Sequence, residues 1–127
     1  MSDTAFTVST DDRLEVRDVT GEVERALPDD TSGTCTVFVE HTTAGVVINE
    51  AEPRLVGDIE SFLADLVPDE GWRHDELDGN ADSHLRALVL GASETIPVED
   101  GKLALGRWQS VLLVECDGPR ERTVRVV

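Results

Sequence analysis

The chain carries three histidines, His41, His74 and His84. Imidazole is the side chain best suited to both proton transfer and metal ligation near neutral pH. Three such ligands make one face of a zinc site and leave a position open for water or substrate. The spacing matches no compact signature, such as two histidines one helical turn apart. Any shared site must therefore be assembled by the fold. Thr42 and Thr43 follow His41 and offer two hydroxyls and two backbone N–H groups to an oxyanion. Asn49 and Glu50 follow a short apolar segment and are expected to border the same cleft as His41, orienting a ligand or a water.

Glu115 shares strand parity with Val111 and Leu113, so it is expected to be partly buried. A buried carboxylate needs a partner. Arg120, just across a turn, is the expected one, as a structural ion pair. Arg107, Arg120, Arg122 and Arg125 form a basic island that could receive a phosphate or simply balance neighbouring carboxylates. Cys35 and Cys116 lie in apolar, strand-like segments and read as buried small side chains, not as nucleophiles or a disulfide.

These groups have to be positioned by regular elements. Residues 4–17 read as two strands around Thr10-Asp11-Asp12. Residues 19–27 form a short helix stopped by Pro28. Thr34 to Glu40 is a strand whose odd positions, Cys35, Val37 and Val39, share a face, and parity puts His41 at the end of that row. Another short strand starts at Val46-Val47-Ile48. A helix opens at Pro53 and runs to 67, with Leu55, Val56, Ile59, Phe62, Leu63 and Leu66 on one arc at about 100° per residue. A polar loop from Pro68 to Gly79 holds His74. A further helix opens at Asn80, a good N-cap, and ends before Gly91. In it His84 falls mid-arc among Ala81, Leu85, Ala87 and Leu88, facing the protein body, while Asp82, Ser83 and Arg86 point elsewhere. Strands at 93–98 and 102–108 are joined by Asp100-Gly101, and strands at 110–116 and 120–127 by Asp117-Gly118-Pro119, both with hairpin or turn chemistry. The expected fold is a single α+β domain over residues 1–127, mainly an antiparallel β-sandwich with two or three helices packed on it.

The 127 residues include 27 acidic and 11 basic side chains, for a net charge of −16. Lys102 is the sole lysine. Such self-repulsion is relieved by salt, and the composition reads as adaptation to a salt-rich cell interior. It argues against nucleic acid, whose phosphates need clustered Lys and Arg. No apolar run approaches the ~20 residues that span a bilayer. The start, Met1-Ser2-Asp3-Thr4, lacks the order of a signal peptide. The expectation is a cytoplasmic protein without membrane partners.

Four blocks in register resemble one family. They are His41-Thr42-Thr43-Ala44-Gly45 with Ile48-Asn49-Glu50; Asn80-Ala81-Asp82-Ser83-His84-Leu85; Gly101 to Gln109; and Glu115 to Arg122. Together they are similar to the YjbQ-like family, also named secondary thiamine-phosphate synthases. Arg107 departs from the small polar residue expected before Trp108. The resemblance implies a jelly-roll-like sandwich assembled as a homotrimer. It implies a site where His41, His74 and His84 converge to hold a divalent metal, zinc or magnesium, or an anion, with no organic cofactor. It also implies a secondary transferase activity joining a hydroxymethylpyrimidine diphosphate to a thiazole phosphate with release of pyrophosphate. On that reading His41, His84, Asn49 and Glu50 are catalytic, and Thr42, Thr43 and Arg120 bind phosphate. Two other readings stand beside it: a trimeric ligand- or metal-binding module without turnover, and a metal-dependent phosphoester hydrolase.

Overall fold

Twelve short elements follow one another along the described residues, and their strands form two sheets. The structure, a computed structural model, describes residues 4–127. Met1 to Asp3, on which most of the signal-peptide reading rests, lie outside the described residues. The elements are β1 (Thr4–Ser9), β2 (Glu15–Asp18), α1 (Thr20–Arg25), β3 (Gly33–Val39), β4 (Ala44–Asn49), α2 (Pro53–Leu66), a 3-10 turn (Arg73–Glu76), α3 (Ala81–Leu90), β5 (Ser93–Glu99), β6 (Lys102–Leu103), β7 (Ser110–Glu115) and β8 (Glu121–Val126). All pairings are antiparallel, in a five-stranded sheet ordered β1-β8-β3-β5-β6 and a three-stranded sheet ordered β2-β7-β4.

Period-two patterning makes the sandwich. Val37, Val39, Ile96, Val124 and Val126 of the large sheet meet Val46, Val111 and Leu113 of the small one in a single core. The alternate residues of β7, Leu112 and Val114, bury the opposite face against Leu63, Val56, Ile59 and Leu90 of the helices. β7 is thus covered on both sides, which is why it reads as an unbroken apolar run. The architecture is α+β and sandwich-like, with α2 and α3 on the outer face of the small sheet. No helix of the described chain is long and apolar enough to cross a membrane.

Five local expectations are corrected. β6 keeps only Lys102–Leu103, because the chain turns at Gly106, whose N–H donates to the Gln109 side chain at 2.8 Å. The Asp100-Gly101 hairpin holds, both residues having positive φ (52° and 76°) as a two-residue primed turn requires. By contrast β7 and β8 are no hairpin: they lie in different sheets, and Asp117 to Arg120 carries the chain across. Gly118 is indispensable there, since a Cβ would lie 2.1 Å from the Asp12 carbonyl oxygen. It is followed by a cis peptide to Pro119.

The third correction concerns α3, whose buried face is Ala81, Asp82, Ser83, Arg86 and Ala87, while Leu88 is 77% exposed. Asp82, Ser83 and Arg86 tolerate burial because each is paired. Arg13 donates to Asp82 at 2.9 Å, Ser83 Oγ donates to the Cys116 carbonyl at 2.5 Å, and Arg86 Nη1 donates to Asp82. Polarity alone places such residues outside. Fourth, Asn80 opens α3 without a side-chain cap bond: its Nδ2 donates to Asp117 Oδ2 at 2.9 Å, and its Oδ1, the atom that would cap, is buried without a hydrogen-bond partner among the described residues. In α2 the apolar arc also splits: Leu63 is buried, whereas Phe62 and Leu66 are exposed.

Candidate functional site

Two crossovers lie side by side at one end of the sandwich. His41-Thr42-Thr43 takes the chain from β3 in the large sheet to β4 in the small one, and Cys116 to Arg120 takes it back from β7 to β8. The start of α3 closes the third side. Between them is a cleft of about 1030 Å³ lined by His41, Thr42, Asn80, His84, Asp117 and Arg120, among others. The structure therefore brings together five of the expected site residues, His41, Thr42, Thr43, His84 and Arg120.

His41 is held by the sheet. The β3–β8 ladder ends with the Glu40 N–H donating to the Thr123 carbonyl at 3.2 Å, and the Thr123 N–H then donates to His41 Nε2 at 2.9 Å. The imidazole supplies the next rung in place of a backbone carbonyl. Burial, helped by the Arg122 guanidinium and opposed by Glu115 and Glu40, holds its pKa below the ordinary 6.5. A histidine with a depressed folded pKa contributes stability that is complete above about pH 6.5 and is lost as pH falls below it. The His41→Gln variant is expected to flatten the fall in melting temperature between pH 7 and pH 5. An unchanged profile in thermal unfolding at both pH values would refute this role.

Asp117 is one of the acidic residues that line the cleft, with Glu40, Asp78 and Glu121. Burial pulls its pKa up, but bonds from Asn80 and Arg120 and the charges of Arg120 and Arg13 outweigh that, leaving it below its usual range. Asn80 Nδ2 donates to Asp117 Oδ2 at 2.9 Å and Arg120 Nη2 to the same atom at 3.0 Å. Arg120 remains about half exposed, so its guanidinium meets an incoming anion at little desolvation cost.

Glu115 is fully buried, as its parity implies, but its partner is Arg122, not Arg120. Arg122 shares β8 parity with buried Val124 and Val126, so it points between the sheets, while Arg120 precedes the strand in the crossover. Arg122 Nε donates to Glu115 Oε1 at 2.8 Å, and Nη2 donates to Oε2. Thr10 Oγ1 and the Asp117 N–H complete the carboxylate's partners, each at 2.8 Å. Thr43 is drawn into this network: its hydroxyl accepts from Arg122 Nη2 at 2.8 Å, so it supports Arg122. The basic island dissolves in the same way, with Arg125 on Glu40 and Arg107 stacked 4.8 Å from the Trp108 ring centroid.

Asn49 and Glu50 do not border the cleft. They sit at the far end of β4 from Thr43, about 20 Å along the strand at ~3.3 Å per residue. Instead the Asn49 side chain accepts the Glu50 N–H at 2.8 Å.

A fastened loop brings His74 to His84, outside the large cleft. Asp75 Oδ2 accepts the Trp72 N–H at 3.2 Å and Asp75 Oδ1 accepts the Ala81 N–H at 3.3 Å, tying the 3-10 turn to the start of α3. The His74 and His84 rings then meet edge to face, 4.9 Å between centroids. As for a metal, among the described residues no three His, Cys, Asp or Glu side chains group to hold one. His41 and His84 line the large cleft, but His74 lies beyond His84. The histidines thus do not close on one point within a chain. Both thiols are buried and unpaired; burial, with Glu115 adding to it, pushes Cys116 up to about 12, which suits an inert side chain.

Sequence reasoning missed Asp117 and Asp78 in the cleft. Asp117 was hidden by its place in an evident turn motif. The signal was its neighbour Glu115: strand parity that buries one acid leaves the acid two residues on at the mouth.

The sequence model described as UPF0047 protein YjbQ-like matches residues 4–127. A UPF0047 protein of Archaeoglobus fulgidus is 50% identical over 122 residues, covering 95% of this chain and 96% of that protein. Another, YugU of Bacillus subtilis, is 38% identical over 122 residues, covering 91% of this chain and 90% of that one. Among solved structures, a hypothetical protein of Aeropyrum pernix K1 superposes with a TM-score of 0.95 at 49% identity, covering 100% of this chain and 97% of that one. A YjbQ/UPF0047 family protein of Clostridium acetobutylicum gives a TM-score of 0.90 at 38% identity, with 98% of each chain covered.

Proposed function

Because the chain belongs to the UPF0047 family of YjbQ-like proteins, we propose that its cleft binds phosphorylated small molecules in the cytoplasm and carries a secondary, thiamine-phosphate-synthase-like transfer. The observation that supports this most is the cleft at the paired crossovers, where Arg120, His41, Thr42 and His84 surround a volume of about 1030 Å³. In the reaction the methylene C–O bond of the pyrimidine diphosphate breaks, its electron pair leaves with pyrophosphate, and a thiazole nitrogen lone pair forms the new C–N bond. The enzyme has only to neutralise the leaving diphosphate and align two rings. Arg120 and Thr42 offer donors to phosphate oxygens, and His41 and His84 offer imidazoles beside them. Asp117 orients Arg120. Asn49, Glu50 and Thr43 take no part in this reading.

A zinc or magnesium ion on His41, His74 and His84 would neutralise the same diphosphate, and it remains a separate proposal; no step here depends on it. Homotrimer assembly is proposed with it, for which exposed Phe62, Leu66, Leu88 and Val89 supply apolar area.

Purified protein given both substrates is expected to form thiamine phosphate. Arg120→Ala and His84→Ala are each expected to lower kcat/KM at least about tenfold, the loss of one charge-assisted contact, with unchanged circular dichroism. Folded variants with full turnover would sink the assignment. Pyrophosphate binding without turnover would favour a binding module, and chelator-sensitive phosphoester cleavage a hydrolase.

A further inference from the structure

A recess and a projecting tryptophan lie at opposite ends of the small sheet and match each other. The recess, about 430 Å³, opens beside the start of α3 and is lined by Trp72, Arg73, His74, Ala81, His84 and Leu85. Apart from the Arg73 guanidinium and the imidazole nitrogens its walls are apolar. Leu77 follows the 3-10 turn that carries His74, and Leu88 lies one turn beyond Leu85 on α3; both are exposed. At the other end of the sheet Asn49 faces Ser110 in the β4–β7 ladder, so Glu50 and the Arg107-Trp108-Gln109 turn leave the sheet together. There Trp108 is 64% exposed, with the Arg107 guanidinium stacked on its ring. The turn is closed by its own bonds: the Gly106 N–H donates to Gln109 Oε1 at 2.8 Å, and the Gln109 N–H to the Gly106 carbonyl at 3.0 Å. Tryptophan and arginine on a preformed turn are the side chains that most often anchor protein contacts.

Charge gives an independent sign of the same match. Among the described residues every arginine except Arg73 and Arg107 pairs with a carboxylate. Arg73 belongs to the recess and Arg107 to the projecting turn. Each has an acid of the opposite surface to meet. Glu76 follows Arg73 in the 3-10 turn, Glu50 leaves the sheet beside Arg107, and neither is in an ion pair among the described residues. Copies of a chain with net charge −16 repel one another, so a contact between them has to set cation against carboxylate.

We propose that the recess is the socket for Trp108 of a second copy of this chain, with Arg107 of one copy set against Glu76 of the next and Glu50 against Arg73. The two surfaces differ and lie at opposite ends, so the contact joins chains head to tail and closes as a ring. The inference rests on the self-assembly proposed above and assigns its contact. It also ties assembly to the site. His84 lines both the recess and the large cleft, so the incoming indole backs the imidazole that faces the ligand.

The test is chemical cross-linking in molar salt, which screens the net charge. Cys35 and Cys116 are buried and stay out of the reaction. Arg107→Cys and Glu76→Cys leave Trp108 and the recess lining in place. Treated alone with a short bis-maleimide, each is expected to remain single chains. Mixed, they should form a covalent two-chain species. In sedimentation, Trp108→Ala should raise the dissociation constant of the assembly at least about thirtyfold, as loss of an anchoring side chain does, and Trp108→Phe should recover part. The dissociated protein should also bind pyrophosphate more weakly, although Trp108 is remote from the cleft of its own chain. A mixture that does not cross-link while the wild type stays assembled overturns this contact and leaves self-assembly standing. Trp108→Ala protein that assembles like the wild type does the same. Cross-linking of either variant alone means that like surfaces meet, and overturns the head-to-tail arrangement. Unchanged pyrophosphate affinity in the dissociated protein overturns the tie to the cleft. A monomeric wild type overturns both the contact and the assembly.

Discussion

Replacing Arg122 with Met is expected to destabilise the protein by about 3–5 kcal/mol, the cost of stranding a buried charge, with a fall in melting temperature of roughly 10–20 °C. Glu115 has no exposed surface and Arg122 only 2%, so water cannot take the place of the lost guanidinium. The Thr10 hydroxyl and Asp117 N–H would remain on the carboxylate, but neither carries charge. Thr43 would lose the donor to its hydroxyl and carbonyl, loosening the crossover that carries His41. The double variant Glu115→Leu with Arg122→Met should recover more than half of the loss, because a buried pair exchanged for apolar side chains is often near neutral. Denaturant unfolding of the three proteins decides it. A single variant within about 1 kcal/mol of wild type would show that the pair is not isolated from solvent.

Arg86 is the second large effect, of different origin. Its side chain joins α3 to the end of α2: Nε donates to the Leu63 carbonyl at 2.7 Å and Nη2 to the Val67 carbonyl at 2.7 Å. Those carbonyls belong to the last turn of α2, where no intrahelical donor exists. Arg86→Ala would orphan them and leave buried Asp82 with Arg13 alone. The expected loss is about 3 kcal/mol or more, from one broken buried ion pair and the loss of the Arg86 donors to three carbonyls, those of Leu63, Ala64 and Val67. Arg86→Lys keeps the charge but cannot span the same acceptors, so it should recover only part. Hydrogen exchange should show the last turn of α2 and the α3 amides opening well before the sheets. Uniform protection across the fold would contradict this division.

Much of the frame was legible because it follows from periodicity and turn chemistry. The alternation of Cys35, Val37 and Val39 located β3 and, by parity, His41 at its end. Pro53 marked the start of α2, and Gly91 the end of α3. What was not legible depends on pairing between distant residues. Asp82, Ser83 and Arg86 look like a solvent face until Arg13, the Cys116 carbonyl and the end of α2 are seen to meet them. The Asp117-Gly118-Pro119 segment has the chemistry of a tight turn, yet whether β8 returns beside β7 or crosses to the other sheet is decided by which edge is free. The site follows suit. His41, His84, Thr42 and Arg120 come together as local reasoning suggests. Asn49 and Glu50 do not, because a strand of six residues carries them to the opposite end of the small sheet.

The ladder rung made by His41 has one more consequence. An imidazole nitrogen that accepts an N–H bears no proton, so the neutral ring must carry its hydrogen on Nδ1. The Thr123 amide thereby selects a single tautomer. The chain is committed, before any ligand binds, to offering a hydrogen-bond donor at that atom in place of a lone pair. An anion oxygen satisfies that donor directly. A metal ion would first have to move the proton and give up the Thr123 bond.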